Sequence, residues 1–266
     1  MDCYCVEPGK RIKLNDWDPQ DKEFCPDGKD EGVRRLESLK QKLYDLQVRF
    51  FAENKRKLLV VLQGMDTAGK DGTIRNVFGG LDPQGIRVAT FGKPSTRELK
   101  HDYLWRIHRQ TPAKGQIGIF NRSHYEDVLA VRVRHLMPKS VWSKRFGHIN
   151  DFERMLTDEG TTIIKIFLHI SFEEQRERLL SRKNTPRKQW KLIPQDVEDR
   201  KLWPNYTEAY EDTLSQTSTR HAPWWVVPAD RKWYRNLLVA SLVCDALQKL
   251  DPQYPTPAYD ISAIEI

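Results

Sequence analysis

The stretch GMDTAGKDGT, from Gly64 to Thr73, has the glycine and lysine spacing of a phosphate-binding P-loop. An apolar run precedes it, and Gly69-Lys70 follows the first glycine by five positions, as in the pattern G-x-x-x-x-G-K-[ST]. The backbone N–H groups of such a loop bind phosphate oxygens, and the lysine neutralises their charge. A plain glycine-containing turn between a strand and a helix is the alternative. The residues we expect to contact phosphate are Gly64, Gly69, Lys70, Asp71 and Gly72.

Two aspartates depart from the usual P-loop pattern. Asp71 stands where Ser or Thr normally binds magnesium, and Asp66 lies inside the loop. A carboxylate beside a bound phosphate is repelled unless a cation lies between the two groups. We therefore interpret Asp66 as a magnesium ligand that replaces the missing hydroxyl. For Asp71 the sequence leaves two interpretations open, a role in this site, or an N-cap or first-turn acid of the following helix.

Polar side chains crowd the segment IFNRSHYEDVL, from Ile119 to Leu129, which begins in an apolar stretch predicted to be a strand. Open α/β sheets bind ligands just beyond the carboxyl ends of their strands. Arg122 can bind phosphate through two parallel hydrogen bonds, and Asp127 is predicted to be a second magnesium ligand. The residues expected near the nucleotide are Arg75, Asn121, Arg122, Ser123, Tyr125 and Glu126.

Glu126 and His124 of this segment are interpreted separately. Glu126 either contacts the nucleotide or metal-bound water, or is a solvated helix residue. His124 has no evident partner in the sequence, so we expect it on the surface or on a helix face and assign it no catalytic role.

A basic run, RERLLSRKNTPRKQWK, extends from Arg176 to Lys191 and holds seven basic residues and one acidic residue. Such a run is often a solvated helix face. After a core strand in a P-loop protein, however, it is expected to form a mobile lid over the phosphates, and its charge exceeds the need of one triphosphate. The expected polyanion-binding residues of the lid are Arg178, Arg182, Lys183, Lys188 and Lys191. The candidate catalytic residues are Asp66, Lys70, Arg122, Asp127 and Arg178.

Strands and helices alternate along the chain, which predicts an α/β fold with a parallel sheet and helices on both faces. Predicted strands lie at 58–62, 88–91, 117–120, 162–170 and 224–227. Predicted helices lie at 34–54, 98–110, 125–136, 142–158, 173–182, 203–216 and 233–250, and one begins within 73–78. We expect an N-terminal arm at 1–31, a P-loop domain at 32–250 with a lid at about 174–202, and a tail at 251–266 that lies on a neighbouring copy.

The 266-residue chain carries a net charge of +7, which favours a polyanionic partner such as nucleic acid, an anionic membrane or a phosphate-rich substrate. No apolar run approaches the roughly 18 residues of a membrane span, and no signal peptide is evident. We therefore expect a cytoplasmic protein without a membrane partner. Its four cysteines lack the spacing of a zinc site and are expected to be free thiols; they are Cys3, Cys5, Cys25 and Cys244.

Four motifs follow one another along the chain: the P-loop, the segment FNRSHYEDVL, the run WKLIPQDVEDRKLW and the stretch APWWVVPADRKWYRN. Together they resemble the motifs of the family-2 polyphosphate kinases, over about residues 10–259. That family carries an aspartate in its P-loop, as Asp66 does here. The resemblance implies a three-layer, thymidylate-kinase-like P-loop fold with a basic helical lid.

The same resemblance implies an activity: transfer of the terminal phosphoryl group of inorganic polyphosphate to a nucleotide, with magnesium, or alternatively manganese. It assigns metal and phosphate binding to Asp66, Lys70, Arg122 and Asp127, and the lid to 178–191. The chain is most similar to single-domain members that accept both AMP and ADP, with ATP as a product. The family also implies a homodimer or homotetramer.

Two other functions share part of this evidence. An ATP-dependent nucleoside monophosphate kinase would have the same fold and P-loop, but the basic lid and the loop aspartate favour polyphosphate. A basic nucleic-acid-binding module could stack bases on Trp224, Trp225 and Trp233. No recognition motif for nucleic acid is present, and aromatic residues in such patterns usually lie in the core. We therefore expect no nucleic-acid partner.

Overall fold

A six-stranded sheet forms the centre of the fold in the computed structural model, which describes residues 1–264. The strand order is β1-β6-β5-β2-β4-β3. All neighbouring strands run parallel except β1, which pairs antiparallel with β6. The strands are β1 (Cys5–Val6), β2 (Lys57–Gly64), β3 (Ile86–Thr90), β4 (Ile117–Asn121), β5 (Thr161–His169) and β6 (Trp224–Pro228).

Helices cover the sheet because its central strands are apolar on both faces. Leu58 to Leu62 of β2 are all fully buried, as expected for a parallel strand between two helical layers. α1 packs against α11, and α10 packs against α4 and α6. This arrangement confirms the predicted α/β P-loop fold. The longer helices are α1 (Lys29–Glu53), α4 (Glu126–Val133), α6 (Arg145–Asp158), α7 (Phe172–Asn184), α9 (Pro194–Lys201), α10 (Trp203–Thr217) and α11 (Lys232–Leu250).

Four further α-helical segments are one turn long: α2 (Lys70–Thr73), α3 (Trp105–His108), α5 (Lys139–Trp142) and α8 (Pro186–Gln189). α2 continues directly into a π-helical stretch, Ile74–Phe78, so the helix predicted within 73–78 begins at Lys70. The helix predicted at 98–110 is therefore wrong over most of its length. Asp102 Oδ1 accepts hydrogen bonds of 3.0 Å from the backbone N–H groups of Leu104 and Trp105, and this Asx turn separates α3 from the preceding residues instead of continuing one helix.

The first 31 residues, which we predicted to be a surface arm, contribute buried side chains to the core. β1 extends the sheet beyond β6, and Tyr4, Val6, Ile12 and Leu14 are buried. The arm is also fixed by hydrogen bonds, since Leu14 N–H donates to Glu211 Oε1 at 2.9 Å. The N-terminal segment is thus an edge strand and a cover of the sheet.

The basic run folds as predicted into a helix, a break and further helical turns. Ser171 Oγ caps α7 by accepting from Glu174 N–H at 3.1 Å. The break falls at Thr185-Pro186, where α8 begins, and α9 follows. After α11, residues 252–260 have no helix or strand and Ile261–Ala263 form one 3-10 turn; the end of the predicted tail, 265–266, lies outside the described residues. Among residues 1–264, no helix combines the length and the apolar character of a membrane span.

Candidate active site

The P-loop joins the end of β2 to α2, at the carboxyl edge of the sheet. Gly69 has a φ of 108°, a conformation that suits glycine and strains other residues. Lys70 is 9% exposed, and its Nζ donates to Gly64 O at 2.7 Å, so the ammonium group lies back across its own loop. Burial, and then the nearby Arg122, lower the pKa of Lys70 to about 8. This ammonium group therefore lacks a strong anionic partner in the ligand-free protein.

Arg122, Asp66 and Glu126 have the strongest electrostatic interactions with this lysine. Arg122, which has a φ of 61°, donates from Nη2 to Asp66 Oδ1 at 3.0 Å. Glu126 is half-buried and accepts from Gln63 Nε2 at 3.3 Å. Burial raises the pKa of Glu126, while Arg122 and Lys70 oppose that rise. Asp66, Lys70, Arg122 and Glu126 thus form one cluster of interacting charges, called the P-loop charge cluster below.

Asp127 faces a different set of side chains. Its Oδ2 accepts from Arg106 at 3.3 Å, and Arg145 Nη1 lies 3.6 Å from its Oδ1. The carboxylate is buried, and burial raises its pKa against the effect of Arg106. This placement does not suit the predicted magnesium ligand, because both oxygens already face guanidinium groups. The neighbouring Glu126 is the carboxylate that interacts electrostatically with Lys70 and Asp66.

Asp71 connects three parts of the site. Its Oδ1 accepts from Asn121 Nδ2 at 2.8 Å, and its Oδ2 lies 3.3 Å from Lys191 Nζ in the lid. Burial alone would raise the pKa of Asp71, but these two hydrogen bonds hold it below its ordinary value. The N-cap of α2 is Gly69 and Asp71 lies in its first turn, so Asp71 is not the cap but is an acidic residue of the first helical turn, as the second interpretation allowed. Of the other predicted residues, Gly72 is half-buried beside Asp71, and Arg75 is exposed one turn further on.

The middle of the FNRSHYEDVL segment points into the core, which contradicts the predicted nucleotide contact by Tyr125. Tyr125 is fully buried, and its hydroxyl bonds to Glu153 at 2.8 Å and to Lys165 at 2.9 Å. His124, predicted on a surface or helix face, is also fully buried, with Nε2 3.2 Å from Glu153 Oε1. Ser123 Oγ accepts from Tyr125 N–H at 3.2 Å. These three buried residues therefore stabilise the segment that carries Arg122 and Glu126 through contacts in the core.

The lid residues have distinct environments. Arg178 is buried, and each of its five N–H donors has an acceptor: Glu174 and the backbone carbonyls of Thr67, Ala68, Ala229 and Asp230. Arg178 therefore holds the P-loop in place. It has no donor left for the predicted contact with the transferring phosphoryl group. Arg182 donates to Lys191 O at 3.2 Å, and Lys188 donates to Ser181 at 2.9 Å. Lys183 is exposed.

Three buried charged residues near the site were missed at the sequence level. Glu153 lies on α6, Lys165 on β5 and Arg235 on α11, and each is at most 2% exposed. A sequence signal existed for two of them. Lys165 interrupts the apolar run TTIIKIFL, and Arg235 is the last charged residue before the apolar run from Leu237 to Cys244.

Magnesium is the ion that the resemblance implies at this site. Asp66 and Glu126 both interact electrostatically with Lys70, and the buried Gln63 Oε1 beside Glu126 has no hydrogen-bond partner among residues 1–264. No group of three or more metal-ligating side chains converges in that same range. Magnesium at phosphate sites is held by one or two carboxylates together with substrate oxygens and water. Asp66 and Glu126 therefore fit a magnesium ion that is shared with a phosphate substrate.

Comparison with known proteins identifies relatives over nearly the whole chain. The chain is 53% identical over 257 residues to the AMP/ADP-polyphosphate phosphotransferase of Meiothermus ruber, across 97% of this chain and 96% of that protein. It is 41% identical over 269 residues to the ADP-polyphosphate phosphotransferase of Rhodopseudomonas palustris, across 96% and 93% of the two chains.

A solved structure and a family model agree with these relatives. The crystal structure of polyphosphate kinase 2 from Arthrobacter aurescens TC1 superposes with a TM-score of 0.95 at 41% identity, covering 98% of this chain and 93% of that one. The family model described as Polyphosphate kinase 2 matches residues 27–255. As its four motifs predicted, the chain belongs to the polyphosphate kinase 2 family.

Proposed function

We propose that this phosphotransferase moves the terminal phosphoryl group of inorganic polyphosphate to both AMP and ADP. The observation that carries the proposal is the P-loop charge cluster, because it combines phosphate-binding cations and two carboxylates at one edge of the sheet. Acceptance of both nucleotides is supported by the relative at 53% identity, which is named an AMP/ADP-polyphosphate phosphotransferase.

The lid supports polyphosphate as the donor. Lys183 and Arg187 are exposed, Lys188 and Lys191 are half-buried, and Lys191 contacts Asp71 next to the P-loop. A linear polyphosphate carries about one negative charge per internal phosphate, so several cations along a groove neutralise it as they do a nucleic-acid backbone. We propose that these lid cations bind the part of the chain that lies beyond the transferred phosphate.

The chain's own residues position the reacting groups. The P-loop N–H groups and Lys70 bind the terminal phosphates of the donor, and Arg122 neutralises charge at the transferring group. An oxygen of the acceptor's terminal phosphate forms the new P–O bond, while the bond to the remaining polyphosphate breaks and its electrons stay on the departing chain. The nucleophile is already an anion, so no general base is required.

Magnesium is proposed to be held by Asp66 and Glu126, in place of the pair Asp66 and Asp127. When bound, it would neutralise phosphate charge that would otherwise be repelled by these carboxylates. Manganese has similar ligand preferences and is expected to replace it. The role of Asp127 is instead to hold Arg106 and Arg145 in place.

A single assay tests the activity. The purified protein is incubated with magnesium and either AMP or ADP, with long-chain polyphosphate or with no donor. We expect ATP from ADP, and ADP followed by ATP from AMP, only when polyphosphate is present. A Lys70→Met protein purified in parallel controls for contaminating kinases. A wild-type protein that is inert toward AMP would refute dual acceptance, and one that needs ATP as donor would refute polyphosphate dependence.

Exposed apolar residues on α1 support a further proposal, that the chain forms a homodimer or homotetramer. Val33, Tyr44 and Phe51 are 41%, 40% and 39% exposed, and their spacing places them on one face of the helix. Light scattering coupled to gel filtration tests this assembly. A monomer at micromolar concentration, or an unchanged assembly in a Tyr44→Glu/Phe51→Glu variant, would contradict the role given to this face.

The cysteines support a cytoplasmic location. Cys3, Cys5, Cys25 and Cys244 are all free thiols, as is usual for proteins of a reducing compartment. Fractionation of the cells that produce the protein tests this proposal, with polyphosphate-dependent ATP formation expected in the cytosolic fraction.

A further inference from the structure

Arg235 lies directly behind the P-loop, on the first turn of α11, and is 2% exposed. Its Nη1 donates to Ala68 O at 3.2 Å, and its Nη2 and Nε donate to Asn236 Oδ1 at 2.8 and 3.2 Å. Among residues 1–264 it forms no ion pair with a carboxylate. A buried charge without a counterion is costly, so this arrangement requires a reason beyond packing.

The charge behind the loop is unbalanced. Arg178 donates to the same Ala68 carbonyl at 2.9 Å, and its carboxylate partner is Glu174. Of these two adjacent guanidinium groups, only that of Arg178 has a carboxylate partner. Burial, and then repulsion from Arg178, lower the pKa of Arg235 to about 9. An anion bound in front of the loop would balance this excess positive charge.

The contacts of Arg235 also fix the orientation of one peptide group. The C=O and N–H of a trans peptide point in opposite directions, and both guanidinium groups donate to the Ala68 carbonyl. The Gly69 N–H therefore points away from Arg178 and Arg235. A Cβ on Gly69 would lie 1.9 Å from Arg235 Nη1, so this glycine allows the guanidinium to lie against the loop.

We propose that Arg235 is a positioning residue for phosphoryl transfer, which rests on the proposed polyphosphate-dependent activity. It holds the Ala68–Gly69 peptide so that the Gly69 N–H faces the bound donor phosphate, and its unpaired charge attracts that polyanion. The first effect depends on the shape of the guanidinium, and the second depends only on its charge. The acceptor nucleotide is not held by this peptide.

Two substitutions separate the two effects. Arg235→Met removes both the fixed orientation of the Ala68–Gly69 peptide and the positive charge. We expect kcat/KM for polyphosphate to fall about 100-fold, which is the loss typical of removing one oriented N–H donor from an active site. Asn236→Asp keeps the hydrogen bonds of Arg235 but supplies the missing carboxylate. We expect it to raise the KM for polyphosphate about tenfold at nearly unchanged kcat, because only the net charge behind the loop changes. The KM for ADP should stay within about twofold in both variants, since the acceptor does not contact this peptide.

Arg231→Met is the matched control, since it removes a cation one turn earlier that bonds to the carbonyl of Gln20 in the N-terminal segment. It should leave the KM for polyphosphate unchanged. A merely structural role for Arg235 would lower the folded fraction and hence kcat, without changing either KM. That pattern would overturn the proposal, as would folded Arg235→Met protein with wild-type kinetics. If Arg235→Met does not fold, an unchanged polyphosphate KM in folded Asn236→Asp overturns it instead. Wild-type protein without polyphosphate-dependent activity would refute the proposed function, which is a separate outcome.

Discussion

Lys191 Nζ in the predicted lid lies 3.3 Å from Asp71 Oδ2, in the first helical turn after the P-loop. Because Asn121 at the end of β4 also donates to Asp71, one carboxylate links the lid, the loop helix and the sheet. The two side chains of the ion pair are 27% and 59% exposed, and exposed pairs of this kind contribute only about 0–1 kcal/mol. Lys191 can therefore exchange its contact with Asp71 for one with a bound polyanion at a small cost in free energy.

The first prediction concerns the lid lysines. Replacing Lys183, Lys188 and Lys191 together by glutamine should raise the KM for polyphosphate at least about tenfold and leave that for ADP within about twofold, because the lost cations face only the long anion. The salt dependence should also weaken, with the slope of log KM against log salt falling by about 2 for three lost contacts. Both Michaelis constants are measured at two salt concentrations.

The matched control removes the same charge at the opposite edge of the sheet. Lys55, Lys114 and Lys249 are exposed and lie near the amino ends of β2 and β4. Their replacement by glutamine should leave both Michaelis constants unchanged. Equal effects of the two triple variants would mean that overall charge, and not a lid, attracts polyphosphate.

The second prediction concerns pH and Lys70. Its pKa of about 8 lies below the ordinary value of 10.5, so the free enzyme loses this cation above pH 8. We expect kcat/KM for polyphosphate to fall about tenfold per pH unit there, since this parameter reports the free enzyme. Lys70→Arg keeps its charge and should lack this decline, whatever its absolute activity. A wild-type profile that is flat up to pH 10 would contradict the assignment.

Stability should change in the opposite direction over the same pH range. Between about pH 8 and 10.5 Lys70 is protonated in the unfolded chain but not in the native state. The free energy of unfolding therefore increases with pH over this range, by on the order of 3 kcal/mol. Below pH 8 both states are protonated and this contribution is constant. The free energy of unfolding is measured for wild type and Lys70→Met from pH 7 to 10. The difference between the two proteins cancels the pH dependence that other titrating groups contribute.

The sequence predicted the sheet, the P-loop and the family because these depend on local patterns and ordered motifs. It could not distinguish Glu126 from Asp127, since adjacent residues on a helix point about 100° apart and the motif does not show which one faces the loop. The core contacts of Tyr125 were also hidden. They depend on Glu153 and Lys165, which are 28 and 40 residues away along the chain.

Arg178 shows a different limit of sequence reasoning. Four of its five hydrogen bonds go to backbone carbonyls of two loops. Carbonyl groups are present at every position, so no residue pattern reveals where they converge. A basic residue in a lid was therefore assigned to the substrate, although its donors are already used within the protein.

The third prediction compares the two carboxylates. Asp66→Asn should raise the magnesium concentration for half-maximal activity by about 100-fold with little loss of stability, because it removes a partly exposed ligand. Asp127→Asn should leave that concentration within about twofold but lower the free energy of unfolding by about 3 kcal/mol, because it leaves Arg106 and Arg145 unpaired in the interior. Magnesium titrations and denaturant unfolding measure both effects.

Glu126→Gln completes this comparison. It should raise the magnesium requirement as Asp66→Asn does, since both carboxylates interact with Lys70. If Asp127→Asn instead changes the magnesium requirement and Glu126→Gln does not, the ligand set is Asp66 with Asp127, and the ion pairs of Asp127 must open when the metal binds.

The last prediction concerns the buried pair of Glu153 and Lys165, whose Oε2 and Nζ atoms are 2.6 Å apart. Burial raises the pKa of Glu153, but Lys165 and then His124 outweigh burial and keep it below its ordinary value. Lys165→Met should lower the free energy of unfolding by about 3–5 kcal/mol, since it leaves a charged carboxylate in the core. The double variant Lys165→Met/Glu153→Leu should be more stable than the single one, because no unpaired charge remains.

Activity should not recover with stability in that double variant. Glu153 and Lys165 hold the Tyr125 hydroxyl, and Glu153 also holds His124. His124 and Tyr125 lie between Arg122 and Glu126 in the chain. Apolar side chains in place of Glu153 and Lys165 keep the core filled, but they no longer fix the loop that carries Arg122 and Glu126. We expect kcat to stay at least about tenfold below wild type in fully folded protein, since small misplacements of reacting groups cost this much. A folded double variant with wild-type kcat would show that the pair serves stability alone.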